Sequence, residues 1–161
     1  MTTPRPEDTL QYESKLKAEL QRREISAEHL SFDQSCHSVA EAAEAAGVTP
    51  EDFIKSIGCI TQEGAFLLAI VRGGDKVSTT RVGKAVESSS RIATPEEVLA
   101  FTGYPCGGTP PVGVDVLCLV DPKVLELPIL YGGGGSQQAL LRMTPEAMID
   151  ANRAKVVRIR R

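Results

Sequence analysis

Two stretches of the chain limit what it can fold into more than any other feature. Residues 102–113 read Thr-Gly-Tyr-Pro-Cys-Gly-Gly-Thr-Pro-Pro-Val-Gly, and residues 131–136 read Tyr-Gly-Gly-Gly-Gly-Ser. Both are too rich in Gly and Pro to be ordinary connections. Glycine admits φ > 0 and leaves backbone N–H groups open to a ligand, with no Cβ in the way. Adjacent proline stiffens the backbone, so those N–H groups stay aimed. A stiff loop of this kind suits an oxyanion or a carboxyl ester, because fixed dipoles need no reorganisation during reaction. Composition alone also allows a blander reading, a tight turn in one stretch and a flexible hinge in the other. Nucleotide loops are excluded. Neither stretch contains G-x-x-x-x-G-K-[ST], and the run from Gly132 has Gln137 where G-x-G-x-x-G needs glycine.

The flanking sequence alternates helices and short strands. Tyr12, Leu16 and Leu20 recur at four-residue intervals in a charged segment, which predicts an amphipathic helix over residues 8–23. A second helix is expected over 38–47. There Ser38 and Glu41 form a capping box, Val39, Ala42, Ala43 and Ala46 trace one stripe, and Gly47 closes it. Thr-Pro-Glu occurs at Thr49, Thr94 and Thr144, each time placing an N-cap hydroxyl before a Pro at the first helical position. Their flanks differ, so they are punctuation and not an internal repeat. The aliphatic runs 54–61 and 65–71 predict a hairpin around Gln62-Glu63-Gly64. The run 114–120 is apolar on both faces, as a central strand must be, and Asp121-Pro122 ends it. Residues 127–130, 138–143 and 155–160 are further strand candidates. The expected fold is α/β (α+β), a mixed, barrel-like β-sheet flanked by three to five helices.

Composition narrows the setting. The 161 residues make about one domain, and 42% hydrophobic with 24% charged residues is globular rather than disordered. With 18 basic against 21 acidic residues the net charge is −3, so no global cationic field advertises nucleic acid. Only 4% of residues are aromatic and none is Trp, which argues against a platform that stacks several bases. The apolar run 65–71 falls far short of the ~20 residues that cross a bilayer, and residues 1–11 hold no signal-type apolar core. Cys36, Cys59, Cys106 and Cys118, with His29 and His37, lack zinc spacing, so no metal is expected. Free thiols and a cytoplasmic setting follow. The adjacent Cys36-His37 reads as an incidental pair, because neighbouring side chains diverge.

The ordered segments resemble a known family. They are the residues 38–52 helix and its Thr-Pro-Glu-Asp end, Phe53-Ile54-Lys55-Ser56, and Arg72-Gly-Gly-Asp-Lys76. Gly103-Tyr-Pro-x-Gly-Gly-x-Pro-Pro-Val112 follows, then the 131–136 run before Ala-Leu-Leu-Arg-Met-Thr-Pro-Glu. In order and spacing from about residue 36 to 151 the chain resembles the YbaK/ProX group of free-standing aminoacyl-tRNA deacylases. These are relatives of the editing domain inserted in bacterial prolyl-tRNA synthetases. The resemblance implies one domain over 1–161 of the YbaK, synthetase-associated type, with residues 1–35 a helical segment poorly covered. It implies a trans-editing hydrolase that cleaves the ester of a mischarged tRNA, alanine or cysteine on proline tRNA, and so serves translation fidelity. It also implies no cofactor, no membrane, contact with the tRNA CCA end and acceptor stem, and a prolyl-tRNA synthetase as a candidate delivering partner.

The resemblance assigns residues as well. On residue type alone Lys55 is a snorkelling surface lysine; in the family's pattern it is the required lysine, expected to anchor the tRNA 3′ end. Gly107 and Pro111 match a Gly-x-x-x-Pro element, and the amides of Gly107, Gly108 and Thr109 are expected to face the ester carbonyl or the aminoacyl group. Gly103, Tyr104, Thr109, Pro110 and Pro111 are expected to line the substrate pocket, with Gly133, Gly134 and Ser136 as its opposite wall. No Ser-His-Asp or Cys-His arrangement is visible, which leaves attack by a positioned water, with the ribose hydroxyl beside the ester as an aid. Cys106 reads as pocket lining or as an exposed thiol, because the family carries varied residues there. Arg153, Lys155, Arg158, Arg160 and Arg161 read as a solvated sheet edge, or as an acceptor-stem contact. The alternative to an enzyme is a binding module that holds an aminoacylated end without turning it over.

Overall fold

The computed structural model describes residues 6–32 and 39–161. Its N-terminal part runs α1 (Pro6–Arg22), β1 (Glu28–Ser31), α2 (Val39–Ala46) and a single 3-10 turn (Pro50–Asp52). The central part is β2 (Ile54–Thr61), β3 (Phe66–Arg72), α3 (Thr79–Val86), β4 (Ser90–Ile92), α4 (Pro95–Thr102) and β5 (Leu117–Val120). After a 3-10 turn (Pro122–Glu126) come β6 (Leu130–Gly133), β7 (Ala139–Met143), α5 (Pro145–Asn152) and β8 (Lys155–Val156).

The 54–61 and 65–71 runs form the expected antiparallel hairpin, with Lys55 opposite Val71. It lies inside a five-stranded sheet of order β4-β2-β3-β5-β8, in which β5 and β8 run parallel to their neighbours. A second sheet, β1-β7-β6, is antiparallel throughout. A parallel bridge between Phe53 and Tyr131 sets β6 beside the start of β2, so the two sheets share a seam. Among the described residues the sheets do not close into a barrel. Mixed pairing and flanking helices are otherwise as expected.

Strand alternation sorts the core into layers. Ile54, Ile60, Leu68, Ile70, Cys118, Val120, Leu130 and Leu141 project to one face, where Leu16, Leu20, Val98, Val112 and Met148 cover them. On the opposite face Leu67, Ala69, Val71 and Leu119 pack under Val82 and Ile159. That face carries a separate patch at the seam, formed by Phe53, Leu140 and Ala43.

Several elements differ from expectation, each for a local reason. Thr94 caps α4 in a full capping box and Thr144 caps α5, but Thr49 starts only one 3-10 turn and spends its hydroxyl on Asp52. The strand expected over 114–120 is cut to Leu117–Val120, because residues just before it follow α1, with Gly113 beside Leu16 and Asp115 paired with Arg23 just past the helix end. The strand expected over 127–130 starts at Leu130, since Leu127 closes the 3-10 turn and Pro128 has no N–H for a ladder. It continues into the glycine run, so half of that run is strand and not hinge. β1, α3 and β4 carry no clear period, and pairing and packing create them. The Ser38 cap and the Cys36-His37 pair lie outside the described residues.

Asp121 explains why the strand expected over 155–160 is short. Its fully buried carboxyl group accepts bonds from the backbone N–H of Lys123, Ile159 and Arg160 and from the Arg160 guanidinium, at 2.7–3.1 Å. The tail therefore bends toward a carboxylate instead of extending the sheet. Arg160 is thus committed to the fold, and Lys155 donates to the Ala85 carbonyl, so this basic run is in part structural. Burial alone would raise the Asp121 pKa, but the three amides and Arg160 together hold it below the usual carboxylate range. Its contribution to stability is present above the unfolded value and is lost as pH falls toward the lowered folded value. Asp121→Asn should cost about 3–5 kcal/mol, the usual cost of breaking a buried charged pair, and should flatten the acid side of the pH–stability profile. Urea denaturation of both proteins between neutral and acid pH checks this.

Candidate functional site

The two glycine-rich stretches lie against each other, backbone on backbone. A Cβ at Gly108 would sit 2.8 Å from the Ser136 backbone, and one at Gly133 would run into the Thr109 carbonyl. The Gly135 N–H donates to the Gly108 carbonyl at 2.8 Å, which fixes the contact. Gly107, at φ 91°, forms the exposed tip of this loop, beside Gln137. Further along, Pro111 packs on Gly132, and its carbonyl accepts from Asn152 at 3.0 Å.

Lys55 reaches the same region through the seam. In a parallel pair the register advances together, so Lys55 and Gly133 each lie two residues past the Phe53–Tyr131 bridge, on one face. That is the face on which the Thr109 carbonyl lies over Gly133. It is helix-covered on both sides of Lys55, by the Phe53 patch and by the α3 patch, but Lys55 and Ile57 are only half-buried. Among the described residues neither patch covers the strip of sheet between them, which has Lys55 and Ile57 on its floor. No hydrogen bond or ion pair to Lys55 is present among the described residues. Burial lowers its pKa and Lys76 adds to this, while Asp75 opposes it.

Other expected site residues are spent on the fold. Gly103 is the left-handed C-cap of α4, and its carbonyl accepts from Lys15. Tyr104 is fully buried, with Lys15 4.7 Å over its ring, and burial pushes its hydroxyl up to about 12. Ser136 is buried and donates to Glu13 at 2.8 Å, so its hydroxyl is a structural tie and not a free polar contact. The Gly108 N–H closes a turn onto Pro105, whereas those of Gly107 and Thr109 have no partner among the described residues. The free amides thus flank Gly108 and do not include it. The Thr109 hydroxyl also donates to Pro105, and Pro110 is buried. The Gly134 carbonyl accepts from His29 Nε2 at 2.9 Å.

The rest of the molecule offers little competing chemistry. Burial pushes the Cys59 and Cys118 thiols up to about 11 and about 12, and Cys106 is exposed beside Gly107. Among the described residues no group of three His, Cys, Asp or Glu is placed to hold a metal ion, and no helix is long and apolar enough to cross a membrane. A hollow of 410 Å³ beside α3, lined by Thr79, Gly83, Lys84 and Ser88, shares no residue with the glycine stretches. The sequence reading missed Glu13 and Ile57. Glu13 had a signal: with Thr9, Leu16 and Leu20 it forms the buried face of α1, a carboxyl group on an otherwise largely apolar stripe.

The fold is shared with solved structures. One, described as a candidate trans-editing enzyme for prolyl tRNA synthetase, superposes with a TM-score of 0.86 at 26% identity, covering 100% of this chain and 99% of that one. The hypothetical protein APE2540 superposes at 0.85 with 28% identity, over 91% of this chain and 99% of that one. A synthetase-associated editing fold is therefore the class. Residues 33–151 match the aminoacyl-tRNA editing domain model, and the chain belongs to that family. It is 33% identical to the proline–tRNA ligase of Thermotoga maritima over 98 residues, 60% of this chain but 17% of that enzyme. It is 28% identical to the uncharacterized protein YwhH of Bacillus subtilis over 128 residues, 78% of this chain and 81% of that protein.

The backbone contact gives a direct test. Gly133→Ala should displace the Thr109 segment and cost roughly 1–3 kcal/mol, the usual effect of overpacking. Gly74→Ala, where an added Cβ meets nothing within 4 Å, should be near neutral. Thermal melts of the two variants make the comparison.

Proposed function

We propose that this protein is a deacylase that hydrolyses the ester joining a wrong amino acid to the tRNA 3′ end, with alanine or cysteine on proline tRNA as substrate. The observation that carries the reading is the uncovered strip beside the glycine contact, where Lys55 and the Thr109–Gly133 contact share one face. Lys55 anchors a phosphate or hydroxyl of the CCA end. The Gly107 and Thr109 amides are the donors available to the ester carbonyl, and Gly108 supplies the close approach to Ser136. Pro110, Pro111, Gly133 and Gly134 keep that wall rigid. A bound water attacks the ester, and the neighbouring ribose hydroxyl assists. A prolyl-tRNA synthetase is the candidate partner that releases such substrates.

The test is a panel of proline tRNA charged in turn with Ala, Cys, Ser, Thr and Pro. Alanyl and cysteinyl esters should be cleaved and the prolyl ester largely spared; because one methylene discriminates by only ~1–3 kcal/mol, sparing should be strong but incomplete. Activity should survive exhaustive chelation. Tight binding of charged tRNA without turnover would instead identify a binding module.

Lys55→Ala should lower kcat/KM roughly 10–200-fold, the value of one charge-assisted hydrogen bond. The anchoring form of Lys55 is charged, and its pKa is lowered. After subtraction of uncatalysed hydrolysis, kcat/KM should therefore fall as pH rises through a value below the ordinary lysine range. Lys55→Arg should recover part of the activity and carry it to higher pH, since a guanidinium stays protonated. A folded Lys55→Ala protein with wild-type turnover would remove Lys55 from the site.

A further inference from the structure

Glu13 is 5% exposed, and both its carboxyl oxygens are committed. One accepts from the Ser31 hydroxyl at 2.5 Å and the other from the Ser136 hydroxyl at 2.8 Å. Ser136 in turn accepts from the Gln138 N–H at 3.1 Å. A buried carboxyl group is costly to desolvate, and an apolar residue of similar volume would fill the same space more cheaply. Its presence on the buried face of α1 calls for something that it holds.

What it holds is the wall of the site. From Ser136 the chain passes to Gly135, whose N–H fixes the Gly108 carbonyl, and so to the free amides of Gly107 and Thr109. The same helix grips both stretches elsewhere. Lys15 donates to the Gly103 carbonyl, Leu16 lies beside Gly113, and the Tyr12 carbonyl lies 2.9 Å from where a Gly135 Cβ would be. All of these α1 residues fall outside residues 33–151, which match the editing-domain model.

We infer that α1 is a clamp on the glycine wall and that Glu13 is its positioning residue, setting the Gly107 and Thr109 amides through Ser136. The inference rests on the deacylase reading for its catalytic consequence, but its structural half does not.

Glu13→Gln keeps the shape and one acceptor oxygen but puts an amide donor against a serine hydroxyl. With alanyl-tRNA it should lower kcat roughly tenfold or more, the size expected for one hydrogen bond to a charged group, with KM changed by less than about threefold. Discrimination between alanyl and prolyl esters should fall. Backbone hydrogen exchange should rise at the bonded amides of the two stretches, those of Gly108 and of Gly134, Gly135 and Gln138, and stay unchanged in β3. Ser136→Ala should reproduce these effects, and the double variant should add little to either single one. Ser136→Ala also carries the test if Glu13→Gln does not fold. The inference is overturned if a folded Glu13→Gln protein keeps wild-type exchange at both stretches. It is also overturned if exchange rises uniformly while kcat and discrimination are unchanged. Absence of deacylation by the wild-type protein would sink the functional reading alone, since the exchange pattern decides the clamp without it.

Discussion

Between Gly108–Thr109 and Gly133–Ser136 two backbones meet without side chains between them, and the rest of the site depends on that contact. Gly133 leaves no room for a Cβ against the Thr109 carbonyl, nor Gly108 against the Ser136 backbone. The loop that leaves α4 is thereby tied to β6. Through the Phe53–Tyr131 bridge β6 is tied to β2, so a loop 50 residues downstream in sequence shares one frame with Lys55. Packing of this kind is unforgiving because backbone cannot change rotamer to relieve a clash.

The position of Lys55 follows from what covers the sheet. An ammonium group cannot be sealed into an apolar layer without a partner, so the helices on this face stop on either side of it. The Phe53 patch lies toward α2, and the Val71 and Val82 patch lies under α3. What remains is a strip with an aliphatic floor, one cation and a rigid polar wall. In the proposed deacylase a small acyl group attached to a polyanion uses these three elements, with the wall's rigidity limiting the acyl group's size.

Much of the frame was legible from period and punctuation. The hairpin from residue 54 to 71 and the helix starts at Thr94 and Thr144 follow from alternation and from a hydroxyl preceding Pro. Elements held by tertiary contacts were not legible. α3 contains two threonines and a mid-helix glycine and exists because Val82 packs on β3; β1 exists because β7 offers it a ladder. In the site, the glycine stretches announced themselves by composition, but not which groups they leave free. That depends on partners far away in sequence. Glu13 takes the Ser136 hydroxyl, Lys15 takes the Gly103 carbonyl, and Asp121 takes the tail that periodicity assigned to a strand.

These commitments define the chemistry that is left. Near the glycine wall the Ser136 and Thr109 hydroxyls and His29 Nε2 are already bonded to the protein, and the buried thiols of Cys59 and Cys118 are held in their neutral form. Among the described residues the backbone N–H groups of Gly107 and Thr109 and the Lys55 ammonium have no hydrogen-bond partner. In the proposed deacylase such a set fixes the ester, holds its leaving ribose and stabilises charge that develops on the carbonyl oxygen. Preorganisation then has to come from the scaffold, which is why so many hydroxyl and carboxyl groups are consumed in holding glycine in place. The density of structural hydrogen bonds behind the wall is what a site built from backbone amides requires.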